Sequence, residues 1–278
     1  MPELPEVETM CRGLNKILNL GKNKERIIIE GMEFKRGNIR SKIPQKQLRS
    51  IIGQKLLPIR RRAKYLIFPT EMGSLLNHLG MTGYWREYNG EPLLKHDHFL
   101  INFSNGKALV FNDARRFGVI DYLSPQSEAS NIWLKHLGVE PLSTDFNAEY
   151  LFNKLKKRSG FLKNIIMDQK LVVGVGNIYA SEALFLAKVH PKKNANKLNL
   201  KMCQSLVISI KEILKKALAS GGSTIRDFRQ AGGELGYFAR ELKVYGRSGQ
   251  VCTACASTIK SEILGGRSTF WCPKCQKK

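Results

Sequence analysis

Apolar residues along this chain change their spacing several times, and each change marks a different kind of structure. Near the start, Val7, Met10, Leu14 and Leu18 recur every three or four residues, the repeat that gathers side chains on one helix face. Pro5 suits a first helical turn, and Glu6 and Glu8 favour the positive end of the helix dipole. A helix is therefore expected from about 5 to 18. From about 26 to 122 short apolar runs take over: RIIIEGMEF, QKLLPIRRRAKYLIF, SLLNHLGMTGYW, HDHFLINF, KALVFND and FGVIDYL, separated by turn signals such as SNGK. This is the texture of an antiparallel β-sandwich or barrel. Around HLGVEPLSTDF the pattern breaks, and a hinge is expected at 137–142. Helical periodicity follows in EYLFNKLKKR, FLKNIIMD, NIYASEALFLAKV and LKMCQSLVISIKEILKKAL, until Gly221 and Gly222 end the last helix. The tail from 243 is short, polar and marked by cysteines. The expected class is a multidomain α+β protein: a β-sandwich with flanking helices over 1–136, a helical domain over 143–242 and a small module over 243–278.

Composition narrows this picture. The 278 residues are 42% hydrophobic, enough for a folded chain with more than one core. No apolar run approaches the roughly 18–20 residues that cross a bilayer. The start lacks the basic segment and long apolar core of a secretion signal, so a cytoplasmic location is expected. Charge is the strongest bulk signal, with 46 basic residues against 23 acidic and a net +23. After Leu142 the balance is 24 basic to 9 acidic, so most of the excess lies in the second half. A polyanion is the expected partner. Nucleic acid stands ahead of a membrane surface, because no basic amphipathic helix carries a bulky apolar face.

Four of the six cysteines crowd the tail. Cys252, Cys255, Cys272 and Cys275 form two CxxC knuckles, CTAC and CPKC, sixteen residues apart. Four thiolates close a tetrahedral zinc site with no open position, so one structural Zn2+ is expected, with a β-hairpin between the knuckles. Two disulfides conflict with the expected compartment, and iron–sulfur spacing differs. Cys11 and Cys203 stand alone and read as small core residues. Arg267, in GGRST, falls near the tip of that hairpin.

The opening MPELPEVE, then RRAKYL, HLGM, KHDH, RRFG and VVGVGNIYASE, and finally the paired knuckles, occur in this order from end to end. Together they resemble the bacterial formamidopyrimidine-DNA glycosylases, which remove oxidised purines such as 8-oxoguanine in base excision repair. The resemblance implies an N-terminal β-sandwich, a helix–two-turns–helix domain, a zinc finger and damaged double-stranded DNA as partner. Leu4 stands where the sister endonuclease VIII branch, which prefers oxidised pyrimidines, usually has Gly. A monomer associated with the bacterial nucleoid is expected.

The same resemblance implies that Met1 is removed and Pro2 becomes the nucleophile. An α-amine has a pKa near 8, about two units below lysine, so more of it is neutral at pH 7. Attack of this secondary amine on C1′ gives an iminium, an electron sink that acidifies C2′ and permits strand cleavage by elimination. Glu3 is implied as the general acid, which needs burial to hold its proton. Glu6 is similar to a supporting carboxylate. Lys64 would contact phosphate and aid β-elimination, and Arg267 δ-elimination. Arg60, Arg61 and Arg62 are assigned only to the general positive field. Met81, Arg115 and Phe117 resemble the wedge that fills the hole left by an extruded nucleotide. Arg115 would also read the cytosine opposite the lesion. Ala114 replaces the proline common in that loop and leaves its backbone freer. His96, Arg158, Lys163 and Asn177 match further DNA contacts; Asn177 also reads as a helix N-cap. His96 and His98 lack a third ligand for a metal. GGSTIRDFRQAGGELGYFA, at 221–239, resembles a lesion-capping loop expected to be poorly ordered without DNA.

Two other readings share most of these features: a non-catalytic zinc-finger protein that binds damaged DNA, and a glycosylase preferring oxidised pyrimidines. All three demand phosphate contacts. Affinity for duplex DNA should therefore fall with salt, each neutralised phosphate contributing a slope of about −0.9 in log K against log salt. A titration series across ionic strength checks this, and a flat line would contradict it.

Overall fold

The computed structural model describes residues 1–21, 26–222 and 241–277. These residues form two compact units. The first comprises Met1–Lys135 and, at the end of the helical segment, Ser220 to Gly222. The second comprises His136–Ala219 and the described part of Phe238–Lys278. The apolar pattern assigns 220–222 to the helical domain, whereas here they group with the first unit. Gly222 lies against Glu6 of that unit, where a Cβ would sit 3.2 Å from Glu6 Oε1.

In the first unit, helix α1 runs Leu4–Ile17 and buries Val7, Met10 and Leu14. Eight strands follow: β1 Ile29–Phe34, β2 Arg60–Arg62, β3 Tyr65–Thr70, β4 Gly73–His78, β5 Tyr84–Tyr88, β6 Asp97–Phe103, β7 Ala108–Asn112 and β8 Val119–Leu123. They make two antiparallel four-stranded sheets, ordered β1-β6-β7-β5 and β2-β3-β4-β8. Both sheets and α1 feed one apolar core. Phe68 from one sheet meets Trp85 from the other with ring centroids 5.1 Å apart. The buried Trp85 indole donates to Asn77 Oδ1 at 2.9 Å, and Asn77 Nδ2 donates to the Val119 carbonyl, so this core leaves none of these polar groups stranded. A short helix α2, Gln45–Arg49, interrupts the strands. It buries only Leu48, too small an apolar signal to stand out in the pattern.

Asn15 fixes α1 to the sandwich. Its Nδ2 donates to the Ile59 carbonyl at 2.8 Å and its Oδ1 accepts from the Ile59 N–H at 2.9 Å. Cys11 is buried, with its thiol on the same carbonyl at 3.2 Å.

In the second unit the helices are α3 Ala148–Leu155, α4 Leu162–Ile166, α5 Asn177–Leu186 and α6 Leu200–Ala219. Tyr179, Leu184, Cys203, Leu206, Ile210 and Leu214 are all buried in their shared core. The tail forms a hairpin of β9 Lys260–Leu264 and β10 Arg267–Trp271. Its two-residue turn, Gly265–Gly266, has φ of 55° and 71°, a turn that side-chain-bearing residues rarely make. Glu182 on α5 is buried and accepts backbone N–H bonds from Lys243, Val244 and Tyr245 at 2.8–2.9 Å. That one carboxylate staples the approach to the tail onto the helices. Gln276 adds a second staple, donating to the Val189 carbonyl at 3.0 Å.

Replacing Asn15 by Leu keeps the size, strands the N–H of the buried Ile59 and leaves its carbonyl only the Cys11 thiol. The loss should be about 1–3 kcal/mol, read as a lower urea midpoint with an unchanged slope.

Candidate active site

The chain start is not a frayed end. Pro2 is buried, and Glu3 and Glu6 are each 2% exposed. Glu3 is the N-cap of α1 in extended conformation, and its N–H donates to Glu6 Oε2 at 2.8 Å, the return half of a capping box. The two carboxylates thus hold the first residues rigidly. Met1 lies outside this box, 50% exposed, and lines a 330 Å³ cavity with Arg40, His78, Gly80, Met81 and Phe117.

Lys64 is buried at 6% exposure in the two-residue turn between β2 and β3. Ala63 before it takes φ 54°, a conformation unusual for a residue with a Cβ. Arg61 supports that turn: its Nη1 donates to the Ala63 carbonyl at 2.9 Å while its Nε meets Glu8 Oε2 of α1 at 2.8 Å. Arg60 is ion-paired with Glu128. The arginine run is therefore only partly a solvated field; Arg60 and Arg61 are neutralised locally, and Arg61 braces the lysine turn. Its sequence signal, three arginines in a row, is shared by any basic surface, so the bracing is visible only once Glu8 is brought beside it.

His78 and Arg40 escaped the sequence reading. His78 packs against Tyr65 with ring centroids 4.8 Å apart, and its Nδ1 accepts from the Gly80 N–H at 3.0 Å, which leaves the proton on Nε2. Burial, then the charges of Lys64 and Arg40, push its pKa down to about 3. It is a neutral donor at physiological pH. Arg40 lies over the Trp133 ring at 5.6 Å.

Neither Met81 nor Phe117 lies in a strand, where such residues would be core. Met81 is in the β4–β5 connection, and Phe117 is 45% exposed in the β7–β8 connection. Arg115 is exposed and its guanidinium stands 4.9 Å over the Phe117 ring. Ala114 is exposed too, yet the loop is anchored on both sides of it, by Asp113 and by Gly118, whose N–H donates to Asp113 Oδ2 at 2.7 Å. The freedom expected from alanine is thus confined. His98 is buried and bonds the Asp113 carbonyl through Nε2 at 2.8 Å; it is a structural partner and not a metal ligand. His96 is half-buried beside it.

In the second unit, Lys163, Asn177 and the finger hairpin meet. Lys163 is fully buried, with Nζ on Asn177 Oδ1, on Thr269 Oγ1 at 2.8 Å and on the Ser268 carbonyl at 3.2 Å. Asn177 Nδ2 also donates to the Ser268 carbonyl, at 3.0 Å. Asn177 is consequently the first helical residue, and Gly176 takes the N-cap position. The asparagine side chain is engaged across to β10 instead of on its own helix. Arg267 is exposed at the first residue of β10, directly after the diglycine turn. Arg158 is held against Asp168 at 2.6 Å.

The four tail cysteines bring their sulfurs within 4.8 Å of one another, and no cysteine is in a disulfide. Sγ–Sγ distances are 3.9 Å for Cys252–Cys275 and 3.3 Å for Cys255–Cys272. A tetrahedral zinc with bonds of about 2.3 Å needs sulfurs roughly 3.8 Å apart, so the donor set fits the ion.

Family models cover most of the length. Residues 1–120 match the formamidopyrimidine-DNA glycosylase N-terminal domain, 137–229 its H2TH domain, and 249–278 the zinc finger found in FPG and IleRS. The chain is 48% identical over 278 residues to the formamidopyrimidine-DNA glycosylase of Bdellovibrio bacteriovorus, covering both proteins completely. This chain belongs to the formamidopyrimidine-DNA glycosylase family. The Histophilus somni glycosylase is 46% identical, again over the whole of both chains. Among solved structures, the Lactococcus lactis Fpg bound to DNA containing an abasic site superposes with a TM-score of 0.88 at 36% identity, covering 99% of this chain and 100% of that one. The Thermus thermophilus MutM (Fpg) protein gives 0.88 at 36%, covering 100% and 99%. The fold expected from the sequence is the fold of this family, and the cysteine cluster is its zinc finger, with Cys252, Cys255, Cys272 and Cys275 as ligands of one structural zinc. No helix among the described residues is long and apolar enough to cross a membrane. The stretch resembling a lesion-capping loop falls, after Gly222, outside the described residues.

Zinc bound by four thiolates holds the finger together, and the exposed Arg267 depends on that hairpin. Displacing the metal with a mercurial and chelator should release one zinc per chain, read with a chromogenic dye. DNA affinity should fall in parallel, and the urea unfolding of the sandwich should stay unchanged.

Proposed function

We propose that this glycosylase excises oxidised purines, 8-oxoguanine and formamidopyrimidines, from duplex DNA and then cuts the strand as a lyase through Pro2. The observation that carries the proposal is the start of the chain: a buried Pro2 beside a capping box made by Glu3 and Glu6, preceded by a Met1 that lines an open cavity. Loss of Met1 would turn the Pro2 amide into a secondary amine while the box continued to hold its position.

The chemistry then runs on few groups. The amine lone pair forms a bond to C1′ as the base departs with the electrons of the glycosidic bond and takes up the proton that the nitrogen releases. Glu3 gives a proton to the sugar oxygen as the ring opens, leaving an iminium between Pro2 nitrogen and C1′. A C2′ proton is lost, and the electron pair expels the 3′ phosphate. Lys64, buried in its braced turn, supports this elimination, and Arg267 the second one on the other side of the sugar. Met81, Arg115 and Phe117 fill the vacated space in the duplex, with Arg115 addressing the opposite cytosine. His96, Arg158 and Asn177 act on phosphates. Lys163, enclosed by Asn177 and the hairpin, acts by holding both. The boundaries at 1–136, 137–142, 143–242 and 243–278 are proposed as the working domains. Acting as a monomer, the protein would work on chromosomal DNA.

Borohydride trapping on an 8-oxoguanine·cytosine duplex tests the proposal. Covalent capture is expected for the processed enzyme, and none for Pro2→Gly or for protein retaining Met1. Glu3→Gln should lower excision by about 10²–10⁴-fold, the usual contribution of a general acid. Tight binding without capture would identify a damage sensor instead, and faster cutting of thymine glycol would reassign the substrate to oxidised pyrimidines.

A further inference from the structure

Both connections that carry the wedge residues cross between the two sheets. The β4–β5 connection leaves the second sheet for the first, and the β7–β8 connection returns. They are bounded by cross-strand pairs at both ends, His78 with Val119 and Tyr84 with Asn112. They also touch through backbone: a Cβ on Gly80 would lie 2.5 Å from the Gly118 nitrogen. Between them sits Asp113, with no exposed surface. Its Oδ1 accepts from the Thr82 hydroxyl at 2.7 Å and its Oδ2 from the Gly118 N–H at 2.7 Å. Thr82 Oγ1 in turn accepts from the Arg115 N–H at 3.2 Å. One hydroxyl therefore joins the residue after Met81 to both ends of the Asp113–Arg115 turn. A buried carboxylate is costly unless fully bonded, so this arrangement resists separation of the loops.

We propose that Thr82 and Asp113 are positioning residues that make Met81, Arg115 and Phe117 enter DNA as one body. The inference rests on the wedge assignment made above. A rigid double loop must either be inserted completely or not at all, so the three side chains share one transition state for nucleotide extrusion.

The test compares Met81→Ala, Phe117→Ala and the double variant, each with Thr82 and with Thr82→Val. Extrusion is followed by stopped-flow fluorescence of 2-aminopurine placed beside the lesion. With Thr82 present, extrusion should stay a single phase, slowed in each single variant by its own factor and in the double variant by roughly their product, since both side chains act in one transition state. With Thr82→Val the fluorescence change should split into two phases, one slowed by Met81→Ala and the other by Phe117→Ala. Thr82→Ser, which keeps the hydroxyl, should restore a single phase. Thr82→Ala serves as a second variant, and all proteins are compared at matched folded fractions from thermal melting. The same number of phases in both backgrounds would overturn the clamp. If Met81→Ala and Phe117→Ala each leave extrusion unchanged, the wedge assignment fails and the clamp with it.

Discussion

The amides at the start of α1 need acceptors, and the site is built around how they find them. A helix N-terminus exposes N–H groups that its own turns cannot satisfy. Here Glu3 and Glu6 serve that end reciprocally, both almost fully buried. The same bonds fix the residue next to the buried Pro2, where the proposed nucleophile would stand. Asn15 then locks the far end of α1 to Ile59, and Glu8 reaches Arg61 behind the Lys64 turn. Helix capping, attachment to Ile59 and bracing of the Lys64 turn all run through α1.

A similar economy recurs elsewhere. Buried charged or polar side chains bond backbone groups of segments far away in the chain, and each fixes something exposed. Asp113 fixes the loops of Met81 and Arg115. Lys163 and Asn177 fix the strand that begins with Arg267. Glu182 fixes the approach to the finger. Asp113, Lys163 and Glu182 are enclosed, while Arg115, Phe117 and Arg267 in the segments they hold are exposed. Such a division follows from the cost of burying charge without partners: only complete bonding makes it tolerable, and complete bonding is rigid.

Much of this was legible in advance. The helical repeat of Val7, Met10 and Leu14 locates α1, and the six short apolar runs overlap the eight strands, two of the runs each spanning a pair of strands and the turn between them, because burial of one face dictates spacing. The cysteine knuckles announce their own geometry, since a metal site is a local demand on residue type. What remained hidden depends on distant partners. Lys163 is singled out by the resemblance as a DNA contact, and its burial under Thr269 and Ser268 shows only in the fold. Arg61 looks like its neighbours until Glu8 arrives. His78, in the quoted HLGM, carried no mark of its neutral state, which arises from enclosure beside Lys64 and Arg40. The short helix α2 buries one leucine and so left almost no trace in the pattern.

Met1 has a consequence of its own. While it remains, the proline nitrogen is an amide whose lone pair is delocalised into a carbonyl, and such a nitrogen attacks nothing. Under the mechanism proposed above, a copy that keeps Met1 would fold and meet DNA but could form no bond from this nitrogen to C1′. Half of the methionine's surface is open to solvent, where an aminopeptidase would reach it.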